Sequence, residues 1–297
     1  MVHPCLLAEH SFVQELDALL NSSAGTCLER RSFASAALQQ APQGATVAAA
    51  EDGSYRFHQL PIYVTHAPFL TSRRQHVERR LAAIGANDVT FITCANKEDV
   101  RHFTAEQRAC LYAPTRNPFD HGKGTIANGT LSLALKHKLA YRDLLRRQLL
   151  AALIIEDDAG VPANMWARLG ALAVPADTDI FYLGSYQGLT NWNVLKWDPV
   201  VNGTHPPVHR RDCRSRGKVN NHFGTIAYIV FARAAHRMLR SVRVAADSGL
   251  SALNCSYPPN MRCDYCSDTP PNQYGPSSWI VAPFRTAESN THRDSHG

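Results

Sequence analysis

Residues 151–160 read AALIIEDDAG. Five apolar residues, Ala151 to Ile155, run into three consecutive acids, Glu156, Asp157 and Asp158, after which the chain turns apolar again. A short apolar run of this kind predicts a buried strand. Three adjacent carboxylates at its end are costly to bury without compensation, because like charges repel and lose hydration. A divalent cation would remove that cost. Carboxylate oxygens suit Mg²⁺ or Mn²⁺, whose shells are completed by water and substrate phosphate. The competing structural reading is an acidic helix N-terminus.

Working outward, LPIYVTHA (60–67) predicts a buried strand, TSRRQHVERRLAAIGA (71–86) a helix and DVTFITCA (88–95) a second strand. In the helix, Thr71 or Ser72 serves as cap and Gly85 lies near the end. Strand, helix and strand in so short a span make a βαβ unit, hence parallel pairing. LYAPTRNPFDHGKGTIANG (111–129) reads as loop. Next comes a strong helix, TLSLALKHKLAYRDLLRRQL (130–149), with Leu131, Leu135, Leu139 and Leu145 in helical period. A helix at 165–173, strands at 177–185 and 224–232 and a helix at 233–242 continue the alternation. The expected fold class is α/β, with a mainly parallel central sheet in a three-layer sandwich. Residues 1–57, rich in Ala, Ser and Gln, read as a peripheral N-terminal extension to a main domain over 58–297.

The 297 residues are ample for a sizeable core. A hydrophobic fraction of 44% and a charged fraction of 19% mark a globular chain. The net charge of +6 favours an anionic ligand such as a nucleotide; the basic residues are too scattered for a nucleic-acid groove. No run reaches the roughly 18 apolar residues of a membrane span, and the start shows no signal-peptide pattern. Two readings of compartment stay open. The N-terminus, if native, points to the cytoplasm. Eight cysteines and sequons at Asn21, Asn128, Asn202 and Asn254 point to a secretory route through the endoplasmic reticulum and Golgi lumen, in which Asn128 and Asn202 would be exposed. The cluster CSYPPNMRCDYC (255–266) lacks a clear fourth zinc ligand and reads as a disulfide or free thiols.

Taken together, IYVTH…SRRQHVERRL (62–81), LALKHKLAYRDLL (133–145), ALIIEDDA (152–159), DIFYLGS (179–185) and TIAYIV (225–230), with Asp264 and Ser289, resemble glycosyltransferase family 25. These are the lipooligosaccharide and collagen-type galactosyltransferases. The resemblance covers about residues 60–290, and its most specific part is the Glu-Asp-Asp-Ala block following a KH-bearing helix. Where the family carries Asn-Leu, this chain has VTHAPFLTSRR; where it carries Ser-His, this chain has Lys136-His137.

The resemblance implies a GT-A-like fold and a metal-dependent, inverting transfer of a hexose from a nucleotide-sugar such as a UDP-sugar. The acceptor would be a hydroxyl on a glycan or protein. It implies Asp158 as direct metal ligand, Asp157 as metal or ribose contact, and Glu156 in support. Val64 and Thr65 would contact the nucleoside, with Arg73 or Arg74 at the phosphates and Gly184 and Ser185 in the donor site. Arg suits phosphate through its bidentate fork; a solvated helix face is the plain alternative for both. Asp264 is the candidate general base, with Asp268 and Asp120 next. His137 reads as a buried helix histidine satisfying a backbone partner, and His222 and His292 as surface histidines or metal ligands. Two other classes remain open: a metal-dependent phosphoester hydrolase, since clustered acids at strand ends also suit two-metal sites, and a noncatalytic sugar-nucleotide-binding protein of the same fold.

Overall fold

A computed structural model of the chain describes residues 27–33, 47–49, 53–102, 128–184, 197–200, 208–211, 226–240, 273–276 and 280–283. The strands are β1 (Leu28–Arg31), β2 (Val47–Ala49), β3 (Tyr55–Phe57), β4 (Ile62–Thr65), β5 (Val89–Ile92), β6 (Ala151–Glu156), β7 (Ala159–Gly160), β8 (Ile180–Gly184), β9 (Trp197–Val200), β10 (Val208–Arg211), β11 (Ala227–Phe231), β12 (Gln273–Pro276) and β13 (Ala282–Pro283). The helices are α1 (Thr71–Ala83), α2 (Lys97–Val100), α3 (Asn128–Arg146), α4 (Met165–Gly170) and α5 (Ala232–Arg240).

The fold is α/β, as expected. Its main sheet runs β1-β5-β4-β6-β11-β8-β12-β10-β9. All six residues of β6 are buried, because the strand is central and apolar groups cover both its faces. Ala151, Leu153 and Ile155 join one core with Val77 and Leu81 of α1 and Met165 and Leu169 of α4. Ala152 and Ile154 join another with Leu131, Leu135 and Leu139 of α3 and Ala234 and Ala235 of α5. The period-2 alternation of the strand thus divides its side chains between helices on opposite faces.

The sheet is mixed rather than mainly parallel. β4 pairs in parallel with β5 and β6, and β12 with β8. The other five pairings, β1–β5, β6–β11, β8–β11, β10–β12 and β9–β10, are antiparallel. The parallel expectation holds for β5-β4-β6 and fails at β11, which lies antiparallel between β6 and β8. A strand covered on both faces has the same apolar signature whichever way it runs, so its direction does not show in its own residues. Edge strand β1, within the stretch read as an extension, pairs with β5 from Leu28↔Ile92 to Arg31↔Val89.

Local detail departs modestly from expectation. Helix α1 begins at Thr71, but its N-cap is Leu70 and no side chain caps it. Gly85 follows the helix at φ +63°, a left-handed conformation that glycine adopts without steric cost. In α3 the fully buried residue near the C-terminus is Leu144; Leu145 is only partly buried. No helix among the described residues is long and apolar enough to cross a membrane.

Cys27 and Cys94 form a disulfide, with Cα atoms 4.8 Å apart and a sequence separation of 67. It ties the residue before β1 to the loop after β5. Cross-linking a loop of this length lowers the entropy of the unfolded chain by an amount equivalent to about 4 kcal/mol. Replacing both cysteines by serine should therefore lower the stability measured by urea unfolding by about 2–4 kcal/mol. Equal unfolding midpoints for the oxidised wild type and the double variant would show that the bridge does not constrain the chain.

Candidate functional site

Parallel register brings several strand ends to one edge of the sheet. Thr65 at the end of β4 lies opposite Ile92 of β5 and Glu156 of β6. β8 runs the same way as β6, and its last residue, Gly184, is opposite Ala227 at the start of β11. In sheets of this kind ligands bind outside the carboxyl ends of parallel strands.

The three acids are buried at that edge, with Glu156 8% exposed and Asp157 and Asp158 6% each. Their burial is compensated. Arg73 Nη1, from the first turn of α1, donates to Asp157 Oδ1 at 2.9 Å and lies 3.6 Å from Asp158 Oδ2. His66, just past β4, bonds Asp157 Oδ2 through Nδ1 at 3.0 Å. Since the carboxylate accepts, this histidine nitrogen carries the proton.

Lys136 lies below this group on α3. Its ammonium donates to His66 O at 2.9 Å, Cys94 O at 2.5 Å and Asn96 Oδ1 at 2.9 Å. Burial pushes its pKa down to about 8, partly offset by the negative charges of Asp157, Asp99 and Glu98. The buried set thus holds three carboxylates beside the guanidinium of Arg73 and the ammonium of Lys136.

Beside the acids, β1, helix α1 and the residues just after β4 and β5 enclose an open cleft of about 310 Å³, lined by Glu29, Arg31, His66, Pro68, Arg74, Glu78 and Thr93. His66 is thus shared between cleft and carboxylates. Arg74 is held by Glu78 at 2.6 Å and Glu29 at 3.0 Å, with its guanidinium stacked 3.4 Å above the Phe91 ring.

The expected site residues separate accordingly. Asp157, Asp158 and Arg73 come together, and Glu156 adjoins them at the end of β6. Neither arginine lies on a solvated helix face: Arg73 is buried on the acids and Arg74 forms the cleft wall. Val64 is wholly buried, in the core cluster shared with Ile62 and Val77. Thr65, 4% exposed, reaches the edge. Gly184 is there for packing: a Cβ would lie 2.3 Å from Val281 O, because Ile280 N and Val281 N both donate to the neighbouring Leu183 O. Asn128 opens α3 and is half-buried. Asp264, Ser185, Ser289, Asp268, Asp120, His222, His292 and Asn202 lie outside the described residues.

His137 is not a site residue. It is wholly enclosed, and its Nδ1 is 2.6 Å from the Tyr228 hydroxyl, which is 2.5 Å from that of Tyr141. One partner is thus the side chain of Tyr228. Sequence reasoning passed over His66 and Lys136 as site residues. The visible signals were a histidine directly after the strand IYVT and a lysine within the buried face of α3.

A resident cation finds a limited donor set. Among the described residues no group of three or more His, Cys, Asp or Glu is arranged to hold a metal ion. Asp157 is engaged on both oxygens by Arg73 and His66, and Asp158 lies 3.6 Å from the same Arg73 nitrogen. One or two protein carboxylates suffice for Mg²⁺ or Mn²⁺ when substrate phosphate completes the shell. Compared with known proteins, the chain matches no family model and no curated protein.

The histidine buried in the core sets a pH dependence. Burial lowers the pKa of His137 from 6.5 to about 3. Between these values the unfolded chain binds a proton that the native state does not, so stability falls as pH drops through the window. At one pKa unit per 1.36 kcal/mol, the loss by pH 4.5 is about 3 kcal/mol. His137→Gln should make the stability difference between pH 7 and pH 4.5 smaller by about that amount in urea unfolding. An identical acid loss in the variant would mean that other groups carry it.

Proposed function

We propose that the protein is a metal-dependent glycosyltransferase with a GT-A-like arrangement, transferring a hexose from a nucleotide-sugar, with a UDP-sugar as first choice. The acceptor is a hydroxyl on a glycan or protein, and the stereochemistry is inverting. The observation that carries the reading is the buried Glu156-Asp157-Asp158 group at the carboxyl edge of β5-β4-β6, next to a polar cleft. The burial of three adjacent carboxylates supports a bound Mn²⁺ or Mg²⁺, which would offset their mutual repulsion.

In this reading the cleft takes the nucleoside side of the donor, with His66 in its lining and Thr65 next to it at the end of β4. Asp158 would hold the cation, and Asp157, fixed by Arg73 and His66, would orient the donor. The cation supplies Lewis acidity toward the diphosphate leaving group. Arg73 is the nearest fixed positive charge and, on donor binding, shares its guanidinium between Asp157 and a phosphate oxygen. Asp264 removes the proton from the acceptor hydroxyl. The disulfide fits the secretory compartment better than the reducing cytosol.

The engagement of Asp157 by Arg73 and His66 also supports a second reading, a noncatalytic nucleotide-binding protein in which these carboxylates serve structure. One assay separates the two: release of UDP from UDP-sugars with Mn²⁺, with and without glycan acceptors. Release that requires Mn²⁺ and rises with acceptor is expected. Asp158→Asn should stay folded and lose Mn²⁺-dependent UDP binding. Asp264→Asn should keep UDP binding and slow transfer by about 10²–10⁴, the usual contribution of a general base. Unchanged metal-dependent UDP affinity in Asp158→Asn would remove the metal assignment, and wild-type turnover in Asp264→Asn would move the base to another residue.

A further inference from the structure

We propose that Lys136 is a positioning residue of this site: its ammonium holds the loops after β4 and β5 in register and thereby sets the orientation of His66 against Asp157. The three protons of a lysine ammonium match its three acceptors, His66 O, Cys94 O and Asn96 Oδ1. The first acceptor belongs to the residue whose ring bonds Asp157. The other two belong to the loop that leaves β5 at the cleft residue Thr93, and Asn96 Nδ2 donates back to Thr93 O at 2.9 Å.

That loop is held in an uncommon conformation. Ala95 has φ +56°, in the left-handed region, where a Cβ is unfavourable. One turn before Lys136 on α3, Ser132 Oγ donates to Ala95 O at 2.6 Å. Two polar side chains on one buried stripe of α3 therefore hold two consecutive carbonyls of the strained loop. Such strain persists only where its surroundings over-determine it, and it gathers at sites that need pre-organisation. A lysine kept for packing alone would be an expensive choice here. It lies 4% exposed, and an apolar side chain of similar volume would avoid the loss of hydration.

The positional part of this proposal is independent of the reaction; its consequence for UDP binding rests on the transferase reading. The test uses Lys136→Met, which keeps length and removes the charge, and Asn96→Ser, which withdraws one acceptor. Asn96 is the N-cap of α2, and serine is also a favoured cap. The first readout is the nitrogen spectrum of histidine-labelled protein, with His66 assigned by His66→Gln. Wild type should show the Nδ1-protonated tautomer, and Lys136→Met should lose that single form. The second readout is UDP affinity in Mn²⁺, expected to fall about 10–100-fold in Lys136→Met, the range for partners that orient ligand-contacting groups, and less in Asn96→Ser.

An unchanged His66 tautomer in folded Lys136→Met overturns the proposal, as does unchanged UDP affinity beside a wild type that binds. If Lys136→Met does not fold, Asn96→Ser decides by the same two readouts. If wild type binds no UDP while the His66 signature still depends on Lys136, the positional claim stands and the transferase reading falls.

Discussion

Arg73 and Asp157 form the ion pair around which the site is arranged. Both are buried, and each has a second partner, Asp158 at 3.6 Å from Arg73 and His66 at 3.0 Å from Asp157, so that the pair is the centre of a small buried network. The pair constrains more than itself. It fixes the start of α1 against the turn after β6, and it gives His66 an acceptor that selects one tautomer. Two neighbouring acids of the same type thus meet Arg73 at different distances, Asp157 at 2.9 Å and Asp158 at 3.6 Å.

Parallel register makes this arrangement possible. β4 must leave the sheet at the same edge as β6 for His66 and Asp157 to meet, and β5 must do so for Lys136 to reach both loops. This part of the molecule was legible from the chain. The apolar run with its acidic end, the βαβ unit at 60–95 and the leucine period of α3 each have a direct physical signature. The α/β class follows from their alternation.

Other features were hidden for identifiable reasons. β11 runs antiparallel between β6 and β8, and a two-sided apolar strand does not encode its direction. Leu144 is fully buried although one residue turns a helix by about 100°, because α3 is covered on more than one side: Ala140 and Tyr141, on the side of Leu144, are buried as well as Leu131, Leu135 and Leu139. Arg73 and Arg74 are adjacent and chemically identical, yet one meets carboxylates at a strand end and the other stacks on Phe91 between two glutamates. Only the turn of the helix separates them, and no composition rule could do so. Lys136 stood out only as a departure from a family pattern; its meaning required knowing which carbonyls it faces.

The contact of Gly184 with the backbone at Val281 bears on how the molecule is made. Residues 280–283 reach back to two places, binding Leu183 at the end of β8 and pairing with β7 just beyond the acids. On a ribosome, the chain up to β11 can already form most of both cores. The edge beside the acids stays unfinished until residue 283 has cleared the exit tunnel. Completion of this edge therefore follows the formation of both cores, and a nascent chain lacking it is a folded body whose acid-bearing edge is still open.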